Sequence, residues 1–307
     1  MSFKIMSNCK YNSEFVLNTD LFVMRQMKSG LSHCVLKCYN HHTKDYVIVK
    51  PVLSGKRCNA LNQDKEVLKR YDFFNKRFST AHRATIVYEI FKQLELNCFI
   101  PLTGAGVDLK IFCDICSICE FVDGTKWDDT FVNKNENVFI VLAFMDTLLG
   151  YNDRHSGNIV ISGNNIKLID NDTSFDYSHV FGLKHPVYTK RLLNSQLNQK
   201  VREFILKINP DSILSVFPKD TPKYILKTLL KRLGVAKRYC YLTLGNPHFS
   251  NNLGTLMDLM KCEISINSTR IQGELKDKKS HLWNNIKRSN AYTESENIKL
   301  EDTLIIT

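Results

Sequence analysis

Two acidic residues and one amide, close together along the chain, have the side chains that magnesium-assisted phosphoryl transfer requires. Asn158 lies five residues after Asp153, and Asp170 follows twelve residues later. A carboxylate such as that of Asp153 can orient an acceptor hydroxyl or accept its proton, and amide and carboxylate oxygens are ligands that Mg²⁺ prefers. We therefore predict that Asp153 is catalytic and that Asn158 and Asp170 bind the metal. Asp172 is a second candidate for the metal.

Phosphoryl transfer also needs a lysine that contacts the phosphates. Lys50 ends a strand-like segment that starts at Val47 and follows a hairpin pattern, in which β-branched and aromatic residues flank a polar turn. The segment that would cover the phosphates contains one glycine, Gly30. We therefore expect phosphate contacts there to come from Ser29, Ser32 and backbone amides.

A helix carboxylate is expected to pair with this lysine. An amphipathic helix is predicted from Ala84 to Leu96, and Glu89 is its best-placed acid. Glu66, which lies upstream in a basic stretch, is the alternative partner.

The order of the predicted elements indicates how these residues are brought together. Strand-like segments occupy residues 20–52 and 110–122 on either side of the amphipathic helix, and an apolar helix at 138–149 ends at Gly150, just before the Asp153 loop. A hairpin follows at 159–169. The chain after residue 190 is predicted to be mostly helical, with segments at 191–207, 221–237 and 252–263.

We therefore predict an α+β fold that is two-lobed and protein-kinase-like. The β-rich N-lobe would comprise residues 1–122, with a basic insertion at 53–83, and the helical C-lobe would comprise residues 123–274, with the catalytic loop at 150–175. Residues 275–307 are polar and are predicted to form a tail outside the packed structure.

The chain is strongly basic, with a formal charge of +11 and a pI of about 9.1. This charge favours anionic partners, and we expect a phosphoinositide or inositol phosphate to be among them. The basic residues crowd three stretches, at 56–83, 223–238 and 276–288. Neither a zinc-finger pattern nor an aromatic RNA-binding signature is present, so a specific nucleic-acid partner is not expected.

Ten cysteines are present, and the first residues lack the apolar stretch of a signal peptide. We therefore expect reduced thiols and a cytoplasmic location. No apolar run is long enough to span a bilayer. Cys113, Cys116 and Cys119 resemble a metal-binding knuckle, but in a strand Cys116 would face away from the other two. Small apolar residues in a sheet are the favoured interpretation.

The segment from Leu148 to Asn158 resembles the Asp-Arg-His-x-x-Asn loop of phosphatidylinositol 3-/4-kinases, actin-fragmin kinase and HipA-type bacterial kinases. The segment from Ile166 to Phe175 is similar to their strand carrying the second metal aspartate. The resemblance implies an atypical kinase that uses ATP and Mg²⁺. It also implies that Arg154 and His155 belong to the catalytic residues, with His155 near the transferred phosphate.

The same resemblance implies positions for adenine and for the Lys–Glu pair. Glu120 and Val122 would lie in the hinge that receives adenine. These families place the paired glutamate near Ala84, where this chain has no acid. Either Glu89 substitutes for it, or the pair is absent or remodelled.

Lipid kinases of this group are normally large, and a chain of 307 residues favours a compact protein serine/threonine kinase. The Asn-, Lys- and Ile-rich composition is compatible with a bacterial effector acting in the host cytoplasm after non-classical secretion. The alternatives are a phosphoinositide or inositol phosphate kinase, a pseudokinase scaffold, and an enzyme that transfers AMP.

Overall fold

The computed structural model describes residues 3–4, 21–27, 35–40, 43–51, 80–108, 114–151, 153–163, 165–175, 177, 192–244 and 251–265. Within these residues the fold is α+β, as predicted, with antiparallel sheets and a set of packed helices. The predicted polar tail, and residues 53–79 of the basic insertion, lie outside the described part of the chain.

The larger sheet has six strands in the order β1-β5-β6-β4-β3-β2, and all neighbouring strands are antiparallel. Strand β4 lies between β3 and β6, and Lys50 of β4 pairs with Ser117 of β6. The bounds are β1 Phe3–Lys4, β2 Leu21–Met27, β3 Val35–Asn40, β4 Asp45–Pro51, β5 Thr103–Asp108 and β6 Asp114–Glu120.

The smaller sheet has three antiparallel strands and carries the loop predicted to be catalytic. Its order is β7-β8-β9, with β7 at Thr125–Lys126, β8 at Ile159–Ser162 and β9 at Asn165–Leu168. Because Ile159 pairs with Leu168, the residues just before β8 and just after β9 lie side by side. The hairpin therefore brings the neighbourhood of Asn158 next to that of Asp170.

The helices of the described chain surround one apolar core. They are α1 Thr80–Gln93, α2 Asp129–Lys134, α3 Glu136–Leu148, α4 Gln199–Lys207, α5 Pro210–Leu214, α6 Lys223–Leu244 and α7 Leu253–Ser265. Helix α3 is buried along most of its length, because Phe139 to Leu148 are nearly all apolar. The core extends from Ile86 of α1 to Met260 of α7, so α1 contacts the helical part as well as the sheet. Ala81 of α1 packs on Ala105 of β5.

Several predicted elements are confirmed, and several boundaries change. The β3–β4 and β8–β9 hairpins and α3 lie where the patterns place them. Helix α1 begins at Thr80, so residues 80–83 belong to this helix and not to a basic insertion. Strand β5 was not predicted, because Gly104 and Gly106 weaken a strand pattern. The helix predicted at 191–207 is shorter, since the side chain of Asn198 accepts a hydrogen bond from the Val201 amide and caps a helix starting at Gln199.

Two further expectations concern particular residues. Cys116 and Cys119 lie on opposite faces of β6, as predicted, whereas Cys113 is outside the described residues. The basic stretch at 223–238 forms part of α6, where Lys223 and Lys227 are exposed. Arg232 is fully buried and is therefore not part of a basic surface.

Candidate active site

Lys50 lies near the end of β4 with its side chain mostly covered. Its amine forms an ion pair with Asp170 Oδ1, and its Nζ is 4.0 Å from Asp172 Oδ2. Burial acts to lower the pKa of Lys50, but the carboxylates of Asp172 and Asp170 outweigh it and hold the pKa above its ordinary value. Lys50 is therefore a protonated amine between two carboxylates.

The loop after α3 has alternating exposed and buried side chains. Asp153 and His155 are exposed, whereas Arg154 and Asn158 are buried. His155 Nδ1 accepts a hydrogen bond from the Gly157 amide at 3.0 Å. A neutral imidazole that accepts at Nδ1 carries its proton on Nε2. The loop therefore presents a carboxylate and an imidazole outward, where an acceptor molecule can reach them.

Arg154 forms several hydrogen bonds inside this loop, and its side chain is only 2% exposed. Its Nε and Nη2 donate to the two oxygens of Asp146 at 3.0 and 2.9 Å. The other bonds go to the carbonyls of Asn158 and Ile169 and to Asn171 Oδ1. These bonds link Arg154 to helix α3, to the end of the loop and to the turn after β9, and the catalytic role that the resemblance implies for it stays a prediction.

Tyr151 and Asn158 connect the loop to the turn that carries Asp170. The Tyr151 hydroxyl donates to the Asp170 carbonyl at 2.7 Å and accepts from Asn158 Nδ2 at 3.2 Å. Asn158 Nδ2 also donates to the Asp153 carbonyl at 2.9 Å. Since these bonds use the amide nitrogen, they orient Oδ1 of Asn158 as the atom that can bind a metal.

Gly150 lets the chain turn from α3 into this loop. Its φ is +63°, and a Cβ at this position would lie 2.6 Å from a ring carbon of Tyr177. Tyr177 cannot easily move, because it is buried and its hydroxyl donates to the Leu148 carbonyl at 2.9 Å. The position therefore needs glycine for both its backbone and its surroundings.

We expect Gly150→Ala to lower the free energy of unfolding by about 3 kcal/mol, from left-handed backbone strain together with overpacking. Gly163→Ala is the matched control, since Gly163 has φ +61° and no atom near its would-be Cβ. Backbone strain alone should cost the control about 1 kcal/mol. Urea denaturation measures the free energy of unfolding of both variants. Equal losses would show that the Tyr177 ring moves aside to accommodate the added Cβ.

Asp170 and Asp172 lie in the turn after β9 but in different surroundings. The Asp170 side chain is 37% exposed, whereas that of Asp172 is 6% exposed. Asp170 has φ +62°, in the left-handed region that aspartate tolerates better than most residues. Burial and the neighbouring Asp170 carboxylate raise the pKa of Asp172 to about 7, against the opposing effects of Lys50 and Arg83. Asp170 is thus the more accessible of the two carboxylates.

The predicted adenine hinge follows β6. The Glu120 amide donates to the Leu102 carbonyl at 2.9 Å, and the Phe121 amide donates to the Tyr46 carbonyl at 3.0 Å. Glu120 Oε2 is 3.9 Å from the amine of Lys167. Val122 is half-buried just beyond these bonds. The segment is therefore fixed to both neighbouring strands before it reaches Val122.

Glu89, the predicted partner of Lys50, is not among the described residues that line the cleft. Glu89 lies five residues after Ala84, which is about 140° around a helix, and Ala84 is the residue of α1 that lines the cleft beside Lys50. Lys50 pairs with Asp170 and Asp172, and not with Glu89. Ser32 and the alternative acid Glu66 lie outside the described residues.

The donor set suits Mg²⁺, which binds one or two carboxylates together with substrate phosphates and water. Asn158 Oδ1 and the Asp170 carboxylate are hard oxygen ligands on adjacent segments. In the described part of the chain, no group of three or more His, Cys, Asp or Glu side chains could hold a metal by itself. The residues therefore fit a metal that the nucleotide helps to bind.

The described residues of the cleft enclose only a small cavity. This cavity has a volume of about 20 Å³ and is lined by Lys50, Ala84, Thr103, Cys119, Asp170 and Asp172, among others. That volume holds about one water molecule.

Three contributors to the site were not predicted from the sequence: Asp146, Tyr151 and Arg83. Asp146 could have been found from the sequence, because it is a single acid within the apolar run of α3 and a buried carboxylate needs a partner. Arg83 had none, because its bond to the Ser174 carbonyl depends on how α1 meets the turn.

The chain matches no protein-family model and no curated protein. Among the described helices, none is both long and apolar enough to cross a membrane. The function therefore has to be inferred from the chemistry of the cleft.

Proposed function

We propose that this protein is an ATP- and Mg²⁺-dependent phosphotransferase with a two-lobed kinase-like architecture, acting on serine or threonine residues of proteins. One observation carries the proposal. Lys50 from the central strand and Asp170 from the turn after β9 are 120 residues apart and meet in one cleft, next to Asn158. These are the lysine and the metal ligands that phosphoryl transfer needs.

Each residue then has a defined role. Asn158 and Asp170 would hold Mg²⁺, which would supply positive charge to neutralise the phosphates, and Lys50 contacts the phosphates. Asp153 accepts the proton of the acceptor hydroxyl. The oxygen of that hydroxyl bonds to the γ-phosphorus, and the bond between this phosphorus and the departing ADP breaks. His155 is close to the transferred phosphate, and adenine binds at the hinge of Glu120 and Val122.

The exposure of the loop supports a large acceptor. Asp153 and His155 both reach solvent, so a side chain on the surface of another protein can approach them. A phosphoinositide headgroup could approach in the same way, and the exposed Lys223 and Lys227 provide positive charge elsewhere on the surface. The acceptor therefore has to be tested with both classes.

We expect Asp153→Asn to lower label transfer from γ-labelled ATP by at least about 100-fold, because a general base is lost. Wild type and variant are compared on cell lysate and on phosphoinositide vesicles, with α-labelled ATP in parallel to detect AMP transfer. Asp211→Asn removes an exposed carboxylate on α5 and serves as the control. Absence of label with folded wild-type protein in every arm would refute the proposal.

The small cavity favours one second candidate, a scaffold that does not transfer phosphate. The ion pair of Lys50 with Asp170 and the cavity of about 20 Å³ are its basis. A ligand at 100 times its Kd stabilises a protein by about 2.7 kcal/mol. Thermal denaturation with millimolar ATP and Mg²⁺ separates the two candidates, since a phosphotransferase is stabilised and a scaffold that does not bind the nucleotide is not.

A further inference from the structure

Lys50 has a second carboxylate beside it that the proposed function does not use. Asp172 Oδ2 is 4.0 Å from Lys50 Nζ, and the Asp172 side chain is 6% exposed. Asp170, the metal ligand, is much more accessible, at 37%. Asp170 and Asp172 therefore lie near the same amine, that of Lys50, but Asp172 is the more deeply buried.

Protein kinases hold this lysine with a glutamate from the neighbouring helix, and helix α1 cannot do so here. Ala84 is the residue of α1 that lines the cleft beside Lys50. Glu89, the only acid within Thr80–Gln93, lies about 140° around the helix from Ala84. An anchoring carboxylate for Lys50 has to come from another element.

Helix α1 instead contributes a cation that faces the turn. Arg83 is buried, and its Nη1 donates to the Ser174 carbonyl at 3.2 Å. The charge of Arg83 also acts on Asp172. Asp172 therefore lies between cations from the strand and from the helix, which can compensate the cost of burying it.

We propose that Asp172 is the positioning residue of Lys50, replacing the helix glutamate of other kinases, and that Arg83 ties α1 to the turn carrying it. This inference rests on the proposed phosphotransferase function. When Asp170 serves as a metal ligand, Asp172 is the carboxylate that remains beside the amine. If Asp172 bound the metal as well, Lys50 would have no carboxylate partner among the described residues.

A double-mutant cycle tests this role, with ATP affinity and transfer rate as separate measurements. We expect Asp172→Asn to lower kcat/KM about 100-fold, the size of loss that follows a misplaced catalytic group, and to weaken ATP binding measured by calorimetry. In a Lys50→Met background the same change should have no further effect, because the residue it positions is gone. The Mg²⁺ concentration giving half-maximal rate should stay unchanged.

Asp45→Asn is the control, since Asp45 is exposed at the start of the same strand. Asp172→Glu keeps the charge, and it should retain more ATP affinity than Asp172→Asn. If Asp172→Asn does not fold, as judged by circular dichroism, the cycle is run with Asp172→Glu.

Three results would overturn the inference: an Asp172 variant equal to the control, an equal loss in the Lys50→Met background, or a raised Mg²⁺ requirement at unchanged ATP affinity. Wild-type protein that binds no ATP would instead refute the proposed function itself, so the two failures can be told apart.

Discussion

Replacing Asp170 with asparagine is expected to lower phosphoryl transfer about 1,000-fold, since the metal contributes several kcal/mol of transition-state stabilisation. Asparagine has the same shape as aspartate, and it tolerates the left-handed backbone at φ +62°. The protein should therefore stay folded, with Asp172 still beside Lys50. The measurement is the transfer rate at saturating ATP over a range of Mg²⁺ concentrations.

Two comparisons sharpen this result. Asp45→Asn removes an exposed carboxylate from the same strand as Lys50 and should retain the wild-type rate. Asp170→Ala should lose activity to the same extent and should also lose about 1 kcal/mol of stability from backbone strain. A rate within threefold of wild type for Asp170→Asn would exclude Asp170 as the metal ligand.

Replacing Arg154 with methionine is expected to lower the free energy of unfolding by about 4 kcal/mol, because it leaves a buried charge without its partner. Asp146 is 3% exposed, and both its oxygens accept from the Arg154 guanidinium. The change also removes donors from the carbonyls of Asn158 and Ile169. Urea denaturation followed by circular dichroism measures the loss.

A second variant tests whether the unpaired carboxylate is the cause. Asp146→Leu combined with Arg154→Met removes both charges, and it should recover most of the lost stability, as replacement of buried ion pairs by apolar residues often does. Lys200→Met, at an exposed position on α4, controls for loss of a cation. A double variant as unstable as Arg154→Met would assign the loss to the carbonyl bonds instead.

The predictions that succeeded depend on local patterns. The apolar run of α3, the hairpins β3–β4 and β8–β9, and the adjacency of Asn158 and Asp170 follow from side-chain periodicity and short turns. Lys50 and Asp170, which we predict to serve one nucleotide site, are in contact in the structure, and their roles stay predictions.

The features that could not be predicted from the sequence depend on tertiary contacts that no local pattern encodes. Glu89 has a suitable charge, but the face of α1 that lines the cleft is decided by the packing of its apolar residues on the sheet and the core. Arg154 is buried because it forms an ion pair with Asp146 near the end of α3, and the sequence alone does not show that these two side chains meet. Strand β5 could not be predicted from its pattern, because it contains Gly104 and Gly106 and glycine has little strand propensity. The strand forms through pairing with β6.

The bond from Arg83 to the Ser174 carbonyl has a consequence for how such an enzyme could be regulated. In protein kinases the helix can swing away from the cleft and break the Lys–Glu pair, which switches the enzyme off. Here α1 is fastened to the turn that contains both Asp170 and Asp172, and we expect the helix and the turn to move as one rigid body. A swing of the helix would then withdraw Asp170, the proposed metal ligand, together with Asp172, the proposed partner of Lys50.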